Sequence, residues 1–258
     1  MGQPLISDED GIRWITLDRP EIRNALYAED LARITQAVTG IGASVKAIVL
    51  TGSGERAFSA GMHIGTFTGA AADDGRVIIS GVRDCIGAIR RAPVPTVAMI
   101  NGYCIGAAFE MALACDLRVA HPGVRFGLPE IKLGIPSVVD AALLHQYVGL
   151  SKAKEIILTG NLYPVSEFAA QGLINRIVEP AQLRAATLEL LGSVTAFTRE
   201  VIAAQKGLFE TWLNHGLQHS IDTSIDVFAD VFRAPATAAA VAAYQQDHSR
   251  RSGLPRPD

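Results

Sequence analysis

The stretch Asn101-Gly-Tyr-Cys-Ile-Gly-Ala-Ala-Phe-Glu-Met-Ala-Leu-Ala-Cys-Asp116 decides the fold, because it leads from a strand through small residues into a helix. Residues 96–100 are rich in β-type side chains, and residues 105–115 are predicted to be helical. The small side chains at 106–108 would let another molecule approach the backbone closely. Free N–H groups at a helix start favour an anionic or partly anionic oxygen. The stretch therefore predicts a ligand site where this helix begins.

Glu110 stands alone among the apolar residues of that helix. It has no polar companion from Ile105 to Ala114, and the positions three and four residues later, on its own face, are Leu113 and Ala114. This pattern predicts a buried carboxylate, which is costly unless it is paired or used in chemistry. Two interpretations remain open. Glu110 is either a catalytic acid or base, or a structural glutamate bonded to a backbone amide or an arginine.

Strands and helices alternate through the first two-thirds of the chain. Runs rich in Val and Ile and bounded by Gly, Pro or Asp lie at residues 12–17, 46–51, 96–100, 117–120, 124–127 and 174–178. Helices are predicted between them at residues 28–41, 77–91 and 105–115. The alternation predicts an α/β fold with parallel strands buried on both faces.

The C-terminal region, from about Pro180 onward, shows no strand run and carries an apolar stripe instead. The stripe consists of Leu217, Ile221, Ile225, Phe228 and Phe232, at spacings of three or four residues. It predicts a helix that packs this face on the rest of the domain or on a neighbouring subunit.

Composition limits the classes of function. The 258 residues are 49% hydrophobic and 19% charged, with a net charge of −3, so nothing favours nucleic acid or an anionic membrane as a partner. The three cysteines form no C-x-x-C pair and are predicted to be reduced core residues of a cytoplasmic protein. The acidic start lacks the apolar run of a secretory signal. The longest uncharged stretch, residues 92–109, is interrupted by proline and glycine, which argues against a membrane span.

A second glycine-rich loop, Thr51-Gly-Ser-Gly-Glu-Arg-Ala57, formally matches the G-x-G-x-x-A fingerprint of dinucleotide-binding proteins. That match would suggest a nucleotide-dependent oxidoreductase. The fingerprint requires a helix directly after the glycines, and Phe58-Ser-Ala-Gly61 does not continue as one. The sequence favours a loop with exposed amides around Gly61 and Met62.

Glu130 follows a proline at the end of a predicted strand, in Phe126-Gly-Leu-Pro-Glu130. Side chains at strand ends commonly point into clefts, which would suit a catalytic group. The alternative is an ion pair with Lys132, two residues on and on the same face of an extended segment.

Taken together, these segments resemble the crotonase superfamily of enzymes from Ile12 to about Pro180. The resemblance is carried in order by Leu17-Asp-Arg-Pro-Glu-Ile-Arg-Asn-Ala-Leu26, Val49-Leu-Thr-Gly-Ser-Gly54, Ala57-Phe-Ser-Ala-Gly61, Asn101-Gly102 with Glu110-Met-Ala-Leu-Ala-Cys-Asp116, Phe126-Gly-Leu-Pro-Glu130 with Leu133-Gly-Ile-Pro136, and Gly149-Leu-Ser-Lys-Ala-Lys-Glu155 with Leu158-Thr-Gly160. Each motif is weak alone, whereas their order and spacing are specific.

The resemblance implies a crotonase-like spiral of repeated ββα units, with an acyl-CoA site, over residues 1–195. It implies a C-terminal helical trimerisation region over residues 196–258, and hence a homotrimer or a hexamer built as a dimer of trimers. It also implies acyl-CoA thioester substrates, with no metal and no cofactor other than the coenzyme A of the substrate itself.

The resemblance further assigns the site residues. The oxyanion-hole amides fall on Met62 and Ala107, and the acid/base glutamates fall on Glu110 and Glu130. Close like charges separate the pKa values of such a carboxylate pair, so that one can act as acid and the other as base. The coenzyme A contacts fall on Ile22, Arg23, Ala25, Leu26, Ala60, His63 and Ile64.

Departures from the family pattern leave the reaction open. Ser137-Val-Val-Asp-Ala141 replaces the usual Gly-Ala-Gly-Gly-Thr type of loop, His63 replaces an aspartate, and alanines stand at 107 and 108 in place of glycines. Asp140 is either an acid in the acyl pocket or, as its position favours, a charge at a helix N-terminus. The resemblance implies an enoyl-CoA hydratase. The alternatives are a Δ3,Δ2-enoyl-CoA isomerase or another crotonase-type reaction, a binding scaffold without catalysis, and the oxidoreductase above.

Overall fold

The computed structural model describes residues 2–252, with side chains through residue 248. The chain divides into two compact units, one ending at Thr195 and the other beginning at Ala196. The first unit holds the sheets and the second is helical.

The first unit is built from a repeat of two strands and a helix. Its strands are β1 (Leu5–Glu9), β2 (Ile12–Leu17), β3 (Ala47–Gly52), β4 (Ala57–Ser59), β5 (Thr96–Ile100), β6 (Tyr103–Ile105), β7 (Leu117–Ala120), β8 (Arg125–Gly127), β9 (Tyr163–Pro164) and β10 (Arg176–Ile177). Its helices are α1 (Ala28–Thr39), α2 (Ala72–Arg90), α3 (Ala107–Ala114), α4 (Leu144–Thr159), α5 (Ser166–Ala169) and α6 (Leu183–Gly192).

The pairs β3–β4, β5–β6 and β7–β8 each contribute one strand to each of two sheets, whereas β1 and β2 both lie in the larger sheet. This gives the spiral arrangement that the resemblance implied. The larger sheet has the order β1-β2-β3-β5-β7-β10, and the smaller has the order β4-β6-β8-β9. Neighbours in the larger sheet are parallel from β2 onward. Every residue of β3 and of α3 is buried, as expected where a parallel sheet is covered on both faces. The first residue of α3 therefore lies in the core of the unit rather than in a surface loop.

The sequence predicted β2, β3, β5, β7, β8 and β10 and missed the other four strands of the described residues. The bounds of β2, β5 and β7 agree with the prediction, whereas β1, β4, β6 and β9 were not predicted. Ile105 was assigned to a helix and is the last residue of β6. The oxidoreductase hypothesis is wrong, because the glycine turn after β3 leads into strand β4 rather than into a helix.

The second unit consists of α7 (Arg199–Asn214), α8 (Leu217–Val231) and α9 (Pro235–Ser252). The predicted apolar stripe lies along α8 and reaches its C-terminal end, and all five of its side chains are exposed in the single chain. None of the helices within residues 2–252 combines the length and the apolar character that crossing a membrane requires. Cys85, Cys104 and Cys115 are buried, as the sequence predicted.

Candidate active site

One cavity of about 260 Å³ in the first unit contains all four residues that the sequence assigned to chemistry. Met62, Ala107, Glu110 and Glu130 line it. Apart from the two glutamates and Lys132, the lining residues are apolar. A binding site that is mostly apolar, with a few polar groups converging on it, suits a small ligand with one reactive polar group.

The Met62 amide is held by an isolated parallel bridge between Leu26 and Met62. The Leu26 N–H donates to the Gly61 carbonyl, and the His63 N–H donates to the Leu26 carbonyl, each at 2.8 Å. In a parallel bridge of this kind, the flanking groups face the partner strand, so the N–H of the central residue points the other way. The Met62 N–H is thus directed away from Leu26.

The Ala107 amide is an unused donor of a helix N-terminus. Ala107 is the first residue of α3, so no carbonyl within the helix can accept its N–H. Gly61, with a positive φ of 81°, approaches this point so closely that an added β-carbon would lie 2.6 Å from the Ile105 oxygen and 3.2 Å from the Ala107 nitrogen. The close approach sets the Met62 and Ala107 peptides beside each other.

Glu110 lies on α3 and is only 4% exposed. Burial raises the pKa of its carboxyl group well above the ordinary value, and the nearby charges of Glu130 and Asp140 raise it further. Backbone hydrogen bonds from Ala141 and Val138 oppose this shift. The balance of these effects keeps the pKa of Glu110 raised, and its contacts with the backbone agree with the structural interpretation, while the catalytic interpretation stays a prediction.

Glu130 lies on the 3-10 turn Pro129–Leu133, across the cavity from α3. Its Oε2 accepts a hydrogen bond of 2.7 Å from the Ser137 hydroxyl, whereas Lys132 donates to the Asn161 side chain at 3.4 Å. Its Oε1 would lie 2.8 Å from a β-carbon added at Gly106, which places the carboxylate against the N-terminus of α3. Ser137, rather than Lys132, therefore orients Glu130.

Four of the predicted coenzyme A contacts lie in or just after the 3-10 turn at residues 20–22, and two of them have buried side chains. Ile22 ends the 3-10 turn Pro20–Ile22, and Arg23 follows it in a left-handed conformation. Ala25 and Leu26 are buried, at 7% and 1% exposure, so a ligand here would meet main chain rather than their side chains.

The three other predicted coenzyme A contacts lie on either side of Met62, and their surroundings differ. Ala60 and Ile64 line the cavity, and Ile64 is exposed at its mouth. The His63 Nδ1 accepts the Gly65 N–H at 3.2 Å, and its ring stacks on Tyr27 with 4.7 Å between centroids. His63 thus caps the turn that follows it.

Asp140 stands at a helix start, as the favoured interpretation predicted, and it also pairs with an arginine. It lies in the 3-10 turn Val139–Leu143 just before α4, is 5% exposed, and forms an ion pair of 2.6 Å with Arg90 at the end of α2. Sequence reasoning missed Arg90 because 50 positions separate the partners. It also missed Ser137 as a partner of Glu130, because no motif of residue types marks a hydroxyl seven positions away.

The fold is that of the crotonase enzymes. An enoyl-CoA hydratase structure from Mycobacterium smegmatis superposes with a TM-score of 0.90 at 27% identity, covering 96% of this chain and 97% of that one. The short-chain-enoyl-CoA hydratase of Clostridium acetobutylicum is 29% identical over 83% of this chain and 82% of its own length. The crotonyl-CoA hydratase of Syntrophomonas wolfei is 28% identical over 83% and 82%. The family model described as enoyl-CoA hydratase/isomerase matches residues 7–249. The chain belongs to the enoyl-CoA hydratase/isomerase family.

We expect Glu110→Gln to stabilise the fold increasingly as the pH rises. The folded-state pKa of Glu110 lies above that of an unfolded glutamate, about 4.3, so the wild-type fold holds the proton longer than the unfolded chain. Stability is therefore lost as the pH rises through this interval. Thermal unfolding between about pH 4 and pH 8 should show a widening difference in Tm between variant and wild type. A difference that does not change with pH, or an equal one in the exposed Glu179→Gln control, would contradict this.

Proposed function

We propose that the protein reversibly hydrates a trans-2-enoyl-CoA to a 3-hydroxyacyl-CoA. The observation that carries the proposal is the convergence of two backbone amides and two carboxylates on one apolar cavity. The names of the relatives and the family membership support the same reaction.

The amides act on the thioester oxygen. Hydrogen bonds from the Met62 and Ala107 amides to this oxygen draw electrons from the C2–C3 double bond. C3 becomes more electrophilic and reacts more readily with water. The same hydrogen bonds then stabilise the enolate that forms as water adds, and donors fixed in this way strengthen their interaction where charge develops. The apolar wall keeps other water away, which strengthens these bonds further.

The glutamates move the two protons of the reaction. A water molecule between them attacks C3 and gives one proton to the Glu130 carboxylate, while the protonated Glu110 delivers its proton to C2. An O–C3 bond and an H–C2 bond form, and the C2–C3 π bond breaks. A proton passed from Glu130 back to Glu110 restores the starting state.

The remaining contacts follow from this placement. The acyl chain lies along the apolar wall, and the coenzyme A moiety lies along Ile22, Arg23, Ala25, Leu26, Ala60, His63 and Ile64, with no further cofactor. We also propose that a second copy covers the exposed α8 stripe in a homotrimer or a dimer of trimers. The three reduced cysteines favour the cytoplasm.

A Δ3,Δ2-enoyl-CoA isomerase is the second candidate, and the asymmetry of the two glutamates favours it. Glu110 is buried and holds its proton strongly, whereas Glu130 is only partly buried. In this reaction one carboxylate would remove a proton from C2 and return it to C4, and no water would be consumed.

Two assays separate these reactions. With a short trans-2-enoyl-CoA, we expect the absorbance of the conjugated thioester to fall to an equilibrium value as the 3-hydroxyacyl-CoA accumulates. An enzyme that converts a 3-enoyl-CoA to the conjugated thioester without hydrating it would be the isomerase. Absence of turnover with both substrates would refute the enzymatic proposal and favour a binding scaffold.

A further inference from the structure

The backbone beside Glu110 is strained at Val139. Its φ is 52°, in the left-handed region, where β-branched residues are rarely found. Of the four non-glycine residues with positive φ in the described part of the chain, only Val139 is β-branched. Something else must therefore hold this turn in place.

The strained residue lies between the groups that contact Glu110. Val138 and Ala141, on either side of it, provide the backbone hydrogen bonds to the Glu110 carboxyl group. Val138 also lines the cavity. A relaxed φ at Val139 would turn both amides, so the conformation of this single residue controls how Glu110 is held.

The ion pair between Arg90 and Asp140 joins this turn to α2. Asp140 directly follows Val139, and its Oδ1 lies 2.6 Å from the Arg90 guanidinium, with Asp140 nearly buried and Arg90 partly exposed. Charge-assisted hydrogen bonds of this length are stronger than neutral ones. The same helix lines the cavity through Ile79 and Val82. The pair therefore connects the strained turn to the opposite wall of the site.

We propose that Arg90 and Asp140 are positioning residues, which hold the strained turn at Val139 in the conformation that presents its amides to Glu110. This inference rests on the proposed function for its kinetic consequence. Its effect on the pKa of Glu110 can be measured without turnover. The charged groups facing Glu110 are Glu130 and Lys132 from the turn after β8, Asp140 from the turn before α4, and Arg90 from α2 behind Asp140.

The test compares Asp140→Asn, Arg90→Met and the same changes in a Val139→Gly background. We expect either single change to lower kcat by about 10- to 100-fold with little change in KM, because a displaced catalytic group costs rate rather than substrate binding. Glycine adopts a φ of 52° without strain. Val139→Gly should therefore restore most of the kcat lost in Asp140→Asn.

A carboxyl carbon NMR titration of Glu110, with its signal identified from Glu110→Gln, provides a measurement that needs no activity. Asp140→Asn removes a negative charge and should lower the pKa of Glu110, whereas Arg90→Met removes a positive charge and should raise it.

These opposite shifts follow from the lost charges alone, whereas withdrawal of the Val138 and Ala141 hydrogen bonds raises the pKa of Glu110 in both variants. The positioning role therefore predicts a rise in Arg90→Met that Val139→Gly partly reverses, because glycine restores the amides and not the charge; a rise that Val139→Gly leaves unchanged would contradict it. If the wild type proves inactive, this titration still tests the positioning pair.

The exposed pair Arg184–Glu9, also at 2.6 Å, is the matched control, and Arg184→Met should change neither kcat nor the Glu110 titration. Unchanged kcat and titration in both Arg90→Met and Asp140→Asn would overturn the proposal, as would failure of Val139→Gly to restore activity. If Asp140→Asn does not fold, Arg90→Met, whose altered side chain is partly exposed, carries the same test.

Discussion

Glu110→Gln and Glu130→Gln are each expected to lower kcat by about 10²–10⁴, the usual size of a lost acid–base group. Glutamine keeps the shape of the side chain and can accept the Ser137 hydroxyl bond or the amides around Glu110. It cannot carry a proton between water and carbon. Substrate affinity should therefore change far less than turnover.

In the proposed mechanism the two glutamates act on one water molecule, so the losses of rate in the two variants should not add. We expect the double variant to be only slightly slower than either single variant, because each change already breaks the proton path. Turnover in D2O should place one deuterium at C2 of the hydration product.

Exposed Glu179→Gln is the matched control and should retain full activity. Near-normal kcat in either cavity variant would show that the carboxylates are not the acid and base of this reaction.

Ala107→Pro should lower kcat by about 10²–10³, the usual cost of one oxyanion-hole donor. Proline removes the N–H and places its ring Cδ at the same point of the cavity, while the helix keeps its bonds, because the first position of a helix has no intrahelical bond to lose and matches the fixed φ of proline. The preceding Gly106, at φ 60° and ψ −133°, has no side chain to clash with the proline ring.

The matched control is Ala72→Pro, which makes the same change at the first residue of α2, in an exposed position outside the cavity lining. Both variants should unfold at nearly the wild-type temperature, and only Ala107→Pro should lose activity. Equal activities would mean that the Ala107 amide does not contact the thioester oxygen.

The parts of the fold that could be predicted from sequence are those with a periodic pattern. Strands β2, β5 and β7 are runs of four to six residues with β-type composition, and their bounds agree with the prediction. Strands β4 (Ala-Phe-Ser) and β6 (Tyr-Cys-Ile) have three residues each and no run of Val and Ile, and β6 follows a glycine turn. Their pairing depends on partners far along the chain, so only the resemblance anticipated the second sheet.

In the candidate site, too, local features could be predicted from the sequence and contacts between separate loops could not. The isolation of Glu110 among apolar residues predicted its burial, which the structure has. The contacts of Ser137 with Glu130 and of Arg90 with Asp140 join separate loops, and no local spacing encodes them. The left-handed Val139 was equally hidden, because valine is a residue that sequence rules assign to extended backbone.

The bridge between Leu26 and Met62 has a consequence for when the oxyanion donor is aligned. The hydrogen bond from Leu26 to the Gly61 carbonyl fixes the peptide that carries the Met62 N–H, and the bond from His63 to Leu26 fixes the next peptide. The dipole is consequently aimed during folding, before any thioester arrives, and needs no reorientation while charge builds on the oxygen. In the proposed mechanism, part of the activation barrier is therefore removed when the chain folds, by the bridge to Leu26, which lies 36 residues before Met62.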